Sequence, residues 1–543
     1  MEIRRQANGW IWIVAILVGG WISDPASAAQ IESIEAVALS AQPAPGSAAN
    51  FNFFNRVRMN DAGEVLLHAT LSGGANGLWH WNGSGPPTAV AITGTPAPGL
   101  GAAVLQTLTL DPLAMTATGP SFFGWLALGS GVTSLNDDVA WGSSDGGALV
   151  VLARQGASAP GSGTQVFGPN LVDLSYSAAS DAGRVLANRL SLTPAGGVGE
   201  RGLWQQEDAA LTLVALEGDP AVGVPGGQMI DFRGSVSNDL GELLTNVRVD
   251  TVGRALYAFD SNGPQLVALV GDPAPGTSVD FLSLTEYVSE LGINDAGEFA
   301  FVAGLSDDTV AAFGPDGAGG TRVVLRTGDA APGTSGAVFA FPDDLALAAD
   351  GSMVVEGMLQ IGPGGTVSST DRGLWGTAGH GPLQKIARRG DRPAGLPEGA
   401  RYESFSRWEL NGSGTLIFSG TYFPPSSGTA EDAIWHHDLH SGETSLLLRK
   451  GDPFEVAPGD TRIVSFAGTG GDASGGQDGK GQGFADDGRF VATVDFTGST
   501  RGVFRLGLPE PTTGASGVAL IALAALARRR ETSRRKTQVA FGR

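Results

Sequence analysis

One short phrase recurs along the chain and restricts its fold more than any other feature. The clearest copies are Thr95-Pro96-Ala97-Pro98-Gly99, Ala157-Ser158-Ala159-Pro160-Gly161, Asp219-Pro220-Ala221-Val222-Gly223, Asp272-Pro273-Ala274-Pro275-Gly276 and Asp329-Ala330-Ala331-Pro332-Gly333, and degraded copies start at Gln42, Asp391 and Asp452. The first positions, 42, 95, 157, 219, 272, 329, 391 and 452, are spaced 53 to 62 residues apart. A period of this size marks an array of similar units, so 543 residues need not be divided into three or four independent domains. With 83 Gly, 30 Pro and only 16% charged residues, the composition favours short strands and turns over charge-laced helices.

A second phrase, N-x-x-G followed by apolar residues, trails the first and is clearest as Asn294-Asp295-Ala296-Gly297-Glu298-Phe299-Ala300-Phe301. Others begin at Asn60, Ser180, Asn238, Ala348, Asn411 and Ala485; in unit two the nearest match is Asn136-Asp137-Asp138-Val139, late and without the glycine. The Asx side chain bonds the backbone two residues on and Gly takes a positive φ, so two flanking apolar strands become a hairpin. A third phrase, Gly-Leu-Trp or an equivalent, follows at Gly77-Leu78-Trp79, Gly202-Leu203-Trp204, Gly373-Leu374-Trp375, Ile434-Trp435 and Val503-Phe504, and reads as a buried strand. Alternating stretches such as Leu211–Ala215 and Leu383–Ala387 supply a fourth strand, which the Pro loop ends because Pro removes donors and fixes φ. These phrases resemble the NxxGxxAF tandem repeats of bacterial surface proteins with alternative C-terminal anchors, a family that implies no known reaction.

Four antiparallel strands per unit predict an all-β fold, a β-propeller of eight four-stranded blades over residues 29–507. Residues 31–38 form an orphan strand ahead of the first Pro loop, and the last unit stops after its third strand near Val503-Phe504-Arg505. One extra strand at the start and one missing at the end predict that the N-terminal strand completes the last blade. An open solenoid and two four-unit rings are the alternatives.

The two ends are not part of the array. Arg4 and Arg5 precede an apolar run from Trp10 to Ile22, and Ala26-Ser27-Ala28 offers a small-x-small cleavage site, predicting a secretory signal peptide over residues 1–28. The chain has no Cys, so after export its stability rests on burial and sheet hydrogen bonds. At the other end Pro509-Glu510-Pro511 leads into a small-residue and apolar segment from Thr512 to Ala527, then Arg528-Arg529-Arg530. This order resembles the PEP-CTERM sorting signal of Gram-negative bacteria. The resemblance implies a short transmembrane helix over part of residues 508–543, an exosortase-type protease as partner, and delivery to the cell surface or extracellular matrix. The Arg cluster suits the cytoplasmic side of a membrane. Of the 34 basic and 55 acidic residues, two and two precede position 29 and seven and one follow position 511; the 25 basic and 52 acidic that remain give net −27. That charge repels nucleic acid and anionic membrane surfaces.

Chemistry is less legible. Asp219, Asp272, Asp329, Asp391 and Asp452 share one position of the Pro loop, so in a ring they form a circle of carboxylates on one face, suited to a hard cation such as calcium or to a cationic ligand; the plainer reading is that each caps its own turn. His436-His437-Asp438-Leu439-His440 is the sole histidine cluster, yet strand alternation separates His436 from His437. No nucleophile elbow, zinc-binding helix or phosphate loop occurs. Trp125, Trp141 and Trp408 stand outside the repeated aromatic phrase as candidate sugar platforms, and Gly468–Gly483, with eight Gly, reads as a flexible insertion. Two functions follow: a non-catalytic propeller that binds or scaffolds extracellular polysaccharide, or an extracellular hydrolase or lyase using carboxylates around the channel. The second expects charged residues outside the repeat to cluster at one channel mouth.

Overall fold

The computed structural model describes residues 31–109, 113–168, 178–179, 185–193, 200–471 and 473–508. The expected signal peptide, and the expected sorting segment from Pro509 with its transmembrane helix and Arg528-Arg529-Arg530, lie outside them. Among the described residues no helix is long and apolar enough to cross a membrane.

The strands form eight antiparallel sheets, numbered 1 to 8 here in chain order. Sheet 1 shows the unit: Phe51–Met59, Val65–Leu71, Asn76–Trp81 and Thr88–Ile92, hydrogen-bonded in that order. Sheet 8 runs from Asp460–Thr469 through Arg489–Phe496 and Arg501–Gly507 to Ser33–Leu39, so the N-terminal strand is its outer edge. Ile34 faces Leu506 and Ala36 faces Phe504 in this pairing. The last sheet is completed by Ser33–Leu39, which covers what would otherwise be the exposed edge of Arg501–Gly507.

Eight apolar clusters lie in the eight junctions between sheets. Leu66 and Leu78 of sheet 1 pack with Phe122 and Trp141 of sheet 2; Leu374 of sheet 6 packs with Trp408 and Trp435 of sheet 7; Val491 and Val503 of sheet 8 pack with Trp79 of sheet 1. The last of these joins the two ends of the array, and the sheets make a closed β-propeller. Second strands are buried on both faces, which explains their unbroken apolar runs: Leu66 belongs to the junction with sheet 2, and its neighbour Leu67 to the junction with sheet 8.

The recurring phrases turn out to be bonded to one another. In sheets 1, 2, 3, 6 and 7 the buried Trp of the third strand donates its indole N–H to the carbonyl just before the loop glycine: Trp79 to Pro45 (2.9 Å), Trp141 to Pro98 (3.0 Å), Trp204 to Pro160 (2.9 Å), Trp375 to Pro332 (3.2 Å) and Trp435 to Ala394 (3.2 Å). Tyr257 does the same with its hydroxyl to Val222 in sheet 4 (2.8 Å). The loop Ala two places before the glycine is buried, as at Ala44, Ala97 and Ala274, and in sheet 7 the buried Pro393 takes its place. Sheet 8 departs: its aromatic is Phe504, which has no donor, and its Pro loop is replaced by a hairpin in which Pro453–Ala457 pairs with the start of the first strand.

The N-x-x-G asparagines do more than cap a turn. Each side-chain oxygen accepts the amide four residues on, as Asn294 does from Glu298 (3.0 Å), and each side-chain amide donates to the next sheet. Asn60 bonds the Thr116 carbonyl (2.9 Å), Asn238 that of Asn294 (3.0 Å), Asn294 that of Ala348 (3.0 Å) and Asn411 that of Ala485 (3.3 Å). All four are buried. These straps also correct the reading of unit two. Its turn is Thr116-Ala117-Thr118-Gly119, with Gly119 at φ 133°, and Asn136 lies in the later loop between the second and third strands. Threonine replaces the Asx there, so the pattern was hidden.

Candidate functional site in the central channel

The first strands of the sheets surround the axis, and their two halves differ. At the Asx-turn end the last three residues of Phe51–Met59, Phe339–Leu347, Arg401–Leu410 and Asp460–Thr469 are all buried. At the Pro-loop end the pattern is buried, open, open, buried, as in Phe51-Asn52-Phe53-Phe54 and Phe281-Leu282-Ser283-Leu284. The channel is therefore accessible from the Pro-loop side and shut at the other.

What shuts it is the glycine-rich insertion of sheet 8. Far from a flexible loop, residues 470–471 and 473–484 are mostly buried against first strands of distant sheets. Glu409 of sheet 7, itself buried, accepts the amides of Gly471 (2.7 Å) and Gly483 (2.6 Å) and so clamps both ends of the segment. Arg58 of sheet 1 donates to the Gly470 carbonyl (2.6 Å), Leu410 donates its amide to Ser474 (2.9 Å), and Met59 donates to Gln482 (2.8 Å). Glycine is required by approach: a Cβ on Gly475 would lie 1.7 Å from the Leu347 carbonyl oxygen, and one on Gly471 would lie 2.0 Å from Glu409. Inside the segment Asp478 accepts from Ser474 Oγ (2.7 Å) and from the amides of Gly475 and Lys480, and the Lys480 ammonium lies 3.4 Å from it while bonding the Leu345 and Ala473 carbonyls. Both charges are buried and fully partnered, the condition under which such a pair is tolerated.

Below this floor the rim at the Asx turns is acidic. Gln482 donates to Asp61 (2.9 Å) and Gln477 to Asp295 (3.3 Å), while Asp486 accepts the Gly412 amide (2.6 Å) and donates its own amide to Asp61 (3.2 Å). Burial first, and then the charge of Asp61, pushes the Asp486 carboxyl up to about 6.

The open half carries side chains of another kind. Phe53, Phe341 and Phe466 on first strands, and Tyr287 beside Phe341, are exposed, Tyr287 at 64%. Between sheets 5 and 6 lies a cleft of about 570 Å³ lined by Thr285, Tyr287, Glu290, Phe341 and Asp343. Arg372 donates to Glu356 (3.0 Å) and lies 3.4 Å from Asp343. Burial raises the carboxyls of Glu290, Asp343 and Glu356 above their ordinary range, and the neighbouring Asp344 adds to the rise at each. On the other side of Tyr287, Asp231 of sheet 4 is held by Arg201 and by Arg233 (2.7 Å), and Arg233 lies 3.5 Å from Glu286. Raised carboxyls beside a cationic fork and exposed aromatic faces suit a polar ligand that has flat apolar surfaces.

The residues singled out from the sequence fare differently. Three of the five Pro-loop aspartates cap turns or pair locally: Asp219 accepts the Leu216 amide (2.7 Å), Asp452 accepts from Arg449, and Asp391 pairs with Lys385 (2.6 Å). Asp272 and Asp329 are exposed at equivalent turns. Among the described residues no three His, Asp or Glu side chains are grouped to hold a metal. The histidines separate: His437 bonds Thr444 (2.8 Å) and burial lowers it to about 4, His440 bonds Asp350 (2.8 Å), and His436 is half-buried with Nδ1 unpartnered. Trp141 belongs to the repeated aromatic position after all, and Trp408 is core. Trp125 is half-buried and pairs with Thr107 on the open half of sheet 2. Phe53, Tyr287 and Phe341 went unnoticed because each stands within one or two residues of an apolar or strand-like stretch; the available signal was an aromatic outside the three phrases.

Solved structures similar to the chain include a lectin of Aleuria aurantia with α-methyl-L-fucoside (12% identity, 65% of this chain and 99% of that one, TM-score 0.26). Others are the α-L-arabinanase of Penicillium chrysogenum with arabinobiose (14%, 51% and 97%, TM-score 0.21) and Sqt1 of Chaetomium thermophilum (11%, 88% and 100%, TM-score 0.36). At these values the likeness decides nothing about a ligand. No curated protein matches the chain. A family model described as a family of unknown function, DUF7453, matches residues 26–120, 110–248 and 245–515, and the chain belongs to that family.

Proposed function

We propose that the chain is an exported, surface-sorted and non-catalytic protein, whose eight sheets act as the blades of one ring and whose open channel end binds extracellular polysaccharide. The observation that carries this reading is the contrast between the two channel halves: at the open end exposed Tyr287 and Phe341 line one cleft with Asp343, which faces Arg372, and exposed Phe53 lies under the Arg501 guanidinium. Aromatic faces stack on the apolar faces of sugar rings, and charged forks bond their hydroxyls. Sorting rests on Ala26-Ser27-Ala28, Pro509-Glu510-Pro511 and Arg528-Arg529-Arg530, with an exosortase-type protease as partner and the cell surface or matrix of a Gram-negative bacterium as destination. Purified residues 29–508, incubated with isolated matrix polysaccharide, are expected to be retained; no retention on any polymer or cell-surface fraction overturns the reading.

One observation favours a second reading, a carboxylate-based hydrolase or lyase. Glu290, Asp343 and Glu356 are raised carboxyls near one cleft, and a protonated carboxyl beside an ionised one is the equipment of general acid catalysis. Release of reducing ends from matrix polymer, abolished by Glu356→Gln, would decide for it.

A further inference from the structure

We infer that residues 470–471 and 473–484 are a built floor that makes the channel one-ended, so that a polymeric ligand is held by a chain end and is never threaded. This rests on the channel being the ligand site, as proposed above. The first link is economy of chain. Sheet 1 passes from its first to its second strand between Met59 and Val65, and sheet 4 between Ser237 and Leu243, whereas sheet 8 runs from Thr469 to Arg489. Closing the ring does not require the extra residues, because the Ser33–Leu39 strand already does that.

The second link is where the extra residues go. They are bonded to sheet 1 through Arg58 and Met59, to sheet 5 through Asp295, to sheet 6 through Leu345 and to sheet 7 through Glu409 and Leu410. A segment tied to sheets on opposite sides of the ring, through first strands of sheets 1, 6 and 7 and the Asx turn of sheet 5, lies across the axis. Its backbone fills the space a threaded polymer would need, and the approach of Gly475 to Leu347 leaves no room for even a methyl group. The third link is the burial pattern of the first strands, open at the Pro-loop half and closed at the half where the floor sits. A sugar polymer entering such a blind channel presents its terminal residues to Tyr287 and Phe341.

Two measurements test this. Hydrogen exchange of the mature protein should show the Gly471, Gly475, Lys480 and Gly483 amides slowed by at least about 100-fold relative to a free glycine loop; exchange at the free rate overturns the floor. Matrix polysaccharide is then compared intact and after sonication, with chain ends quantified. Chain-end binding predicts that protein retained per gram rises with the number of ends, and unchanged retention per gram overturns it. If neither preparation retains protein, the polysaccharide reading and the chain-end mode fail together, while exchange still decides the floor.

Discussion

The two ends of the channel are made from the same strands and do opposite work. At the Asx-turn end repeated residues dominate: Asn60, Asn238, Asn294 and Asn411 strap sheets 1, 4, 5 and 7 to the sheets that follow them, and the floor of sheet 8 completes the closure. At the Pro-loop end the repeat supplies the latches beneath the surface, such as Trp79 on Pro45, and one equivalent first-strand position carries the exposed Phe53, Phe341 and Phe466, while Tyr287 and the charged groups around it follow no repeat. The difference teaches that recurrence at the closed end marks structure, while the open end combines one recurring exposed position with residues that occur once. A ring of identical residues offers a ligand eight equivalent places, whereas Tyr287, Asp343 and Glu356 occur once.

Five changes would break or sharpen that contrast. Removing residues 31–40 strips the outer strand from sheet 8, takes Val37, Ala38 and Leu39 out of the core and frees an edge; a loss of roughly 5 kcal/mol or more is expected in denaturant unfolding. Trp435→Ala, at the core of the junction between sheets 6 and 7, should cost about 3–5 kcal/mol, whereas Trp435→Phe, which loses only the bond to Ala394, should cost about 1 kcal/mol. Asn294→Ala cuts one strap and leaves the Ala348 carbonyl without that donor, for about 1–3 kcal/mol. If latch and strap variants cost nothing, the structural role of the repeat is wrong.

The fourth change concerns pH. Asp486 titrates near 6 in the folded chain against an ordinary 3.8, so the folded state holds a proton that the unfolded state has released between those values. Stability therefore rises as pH falls from above 6 toward 4, and is lost again as pH climbs through 6, by at most about 3 kcal/mol. Asp486→Asn should flatten this part of the profile, seen by comparing unfolding midpoints of both proteins at pH 4.5 and 7.5; identical profiles would show that Asp486 is not raised. The smallest stability effect belongs to the open end. Tyr287→Ala and Phe341→Ala are expected to stay within about 0.5 kcal/mol of the parent, because exposed side chains contribute little to folding.

The fold was legible where it depends on local turn chemistry repeated in register. Pro loops, Asx turns and the orphan strand at Ser33–Leu39 each carry their cause within a few residues. Partnerships across the chain were not legible: nothing near Trp79 announces Pro45, and nothing near Asn294 announces Ala348. The floor was misread for the same reason. A run of glycines looks alike whether it is free or pressed against backbone, and only the partners, Glu409 and Leu347, separate the two. Unit two was misplaced because Thr116 does the turn work of an asparagine while Asn136-Asp137 imitates it. The shared Pro-loop aspartates drew attention by recurrence; Asp219 caps its turn on the Leu216 amide, whereas Asp391 pairs with Lys385, a difference their common position did not announce.

The most direct test compares retention on isolated matrix polysaccharide of the parent protein, a Tyr287→Ala/Phe341→Ala variant at the open end, and a Gln477→Ala variant at the closed end. Ligand binding at the open end predicts at least a tenfold loss for the double variant and parental retention for Gln477→Ala. Equal retention by all three, or a loss confined to Gln477→Ala, would contradict it.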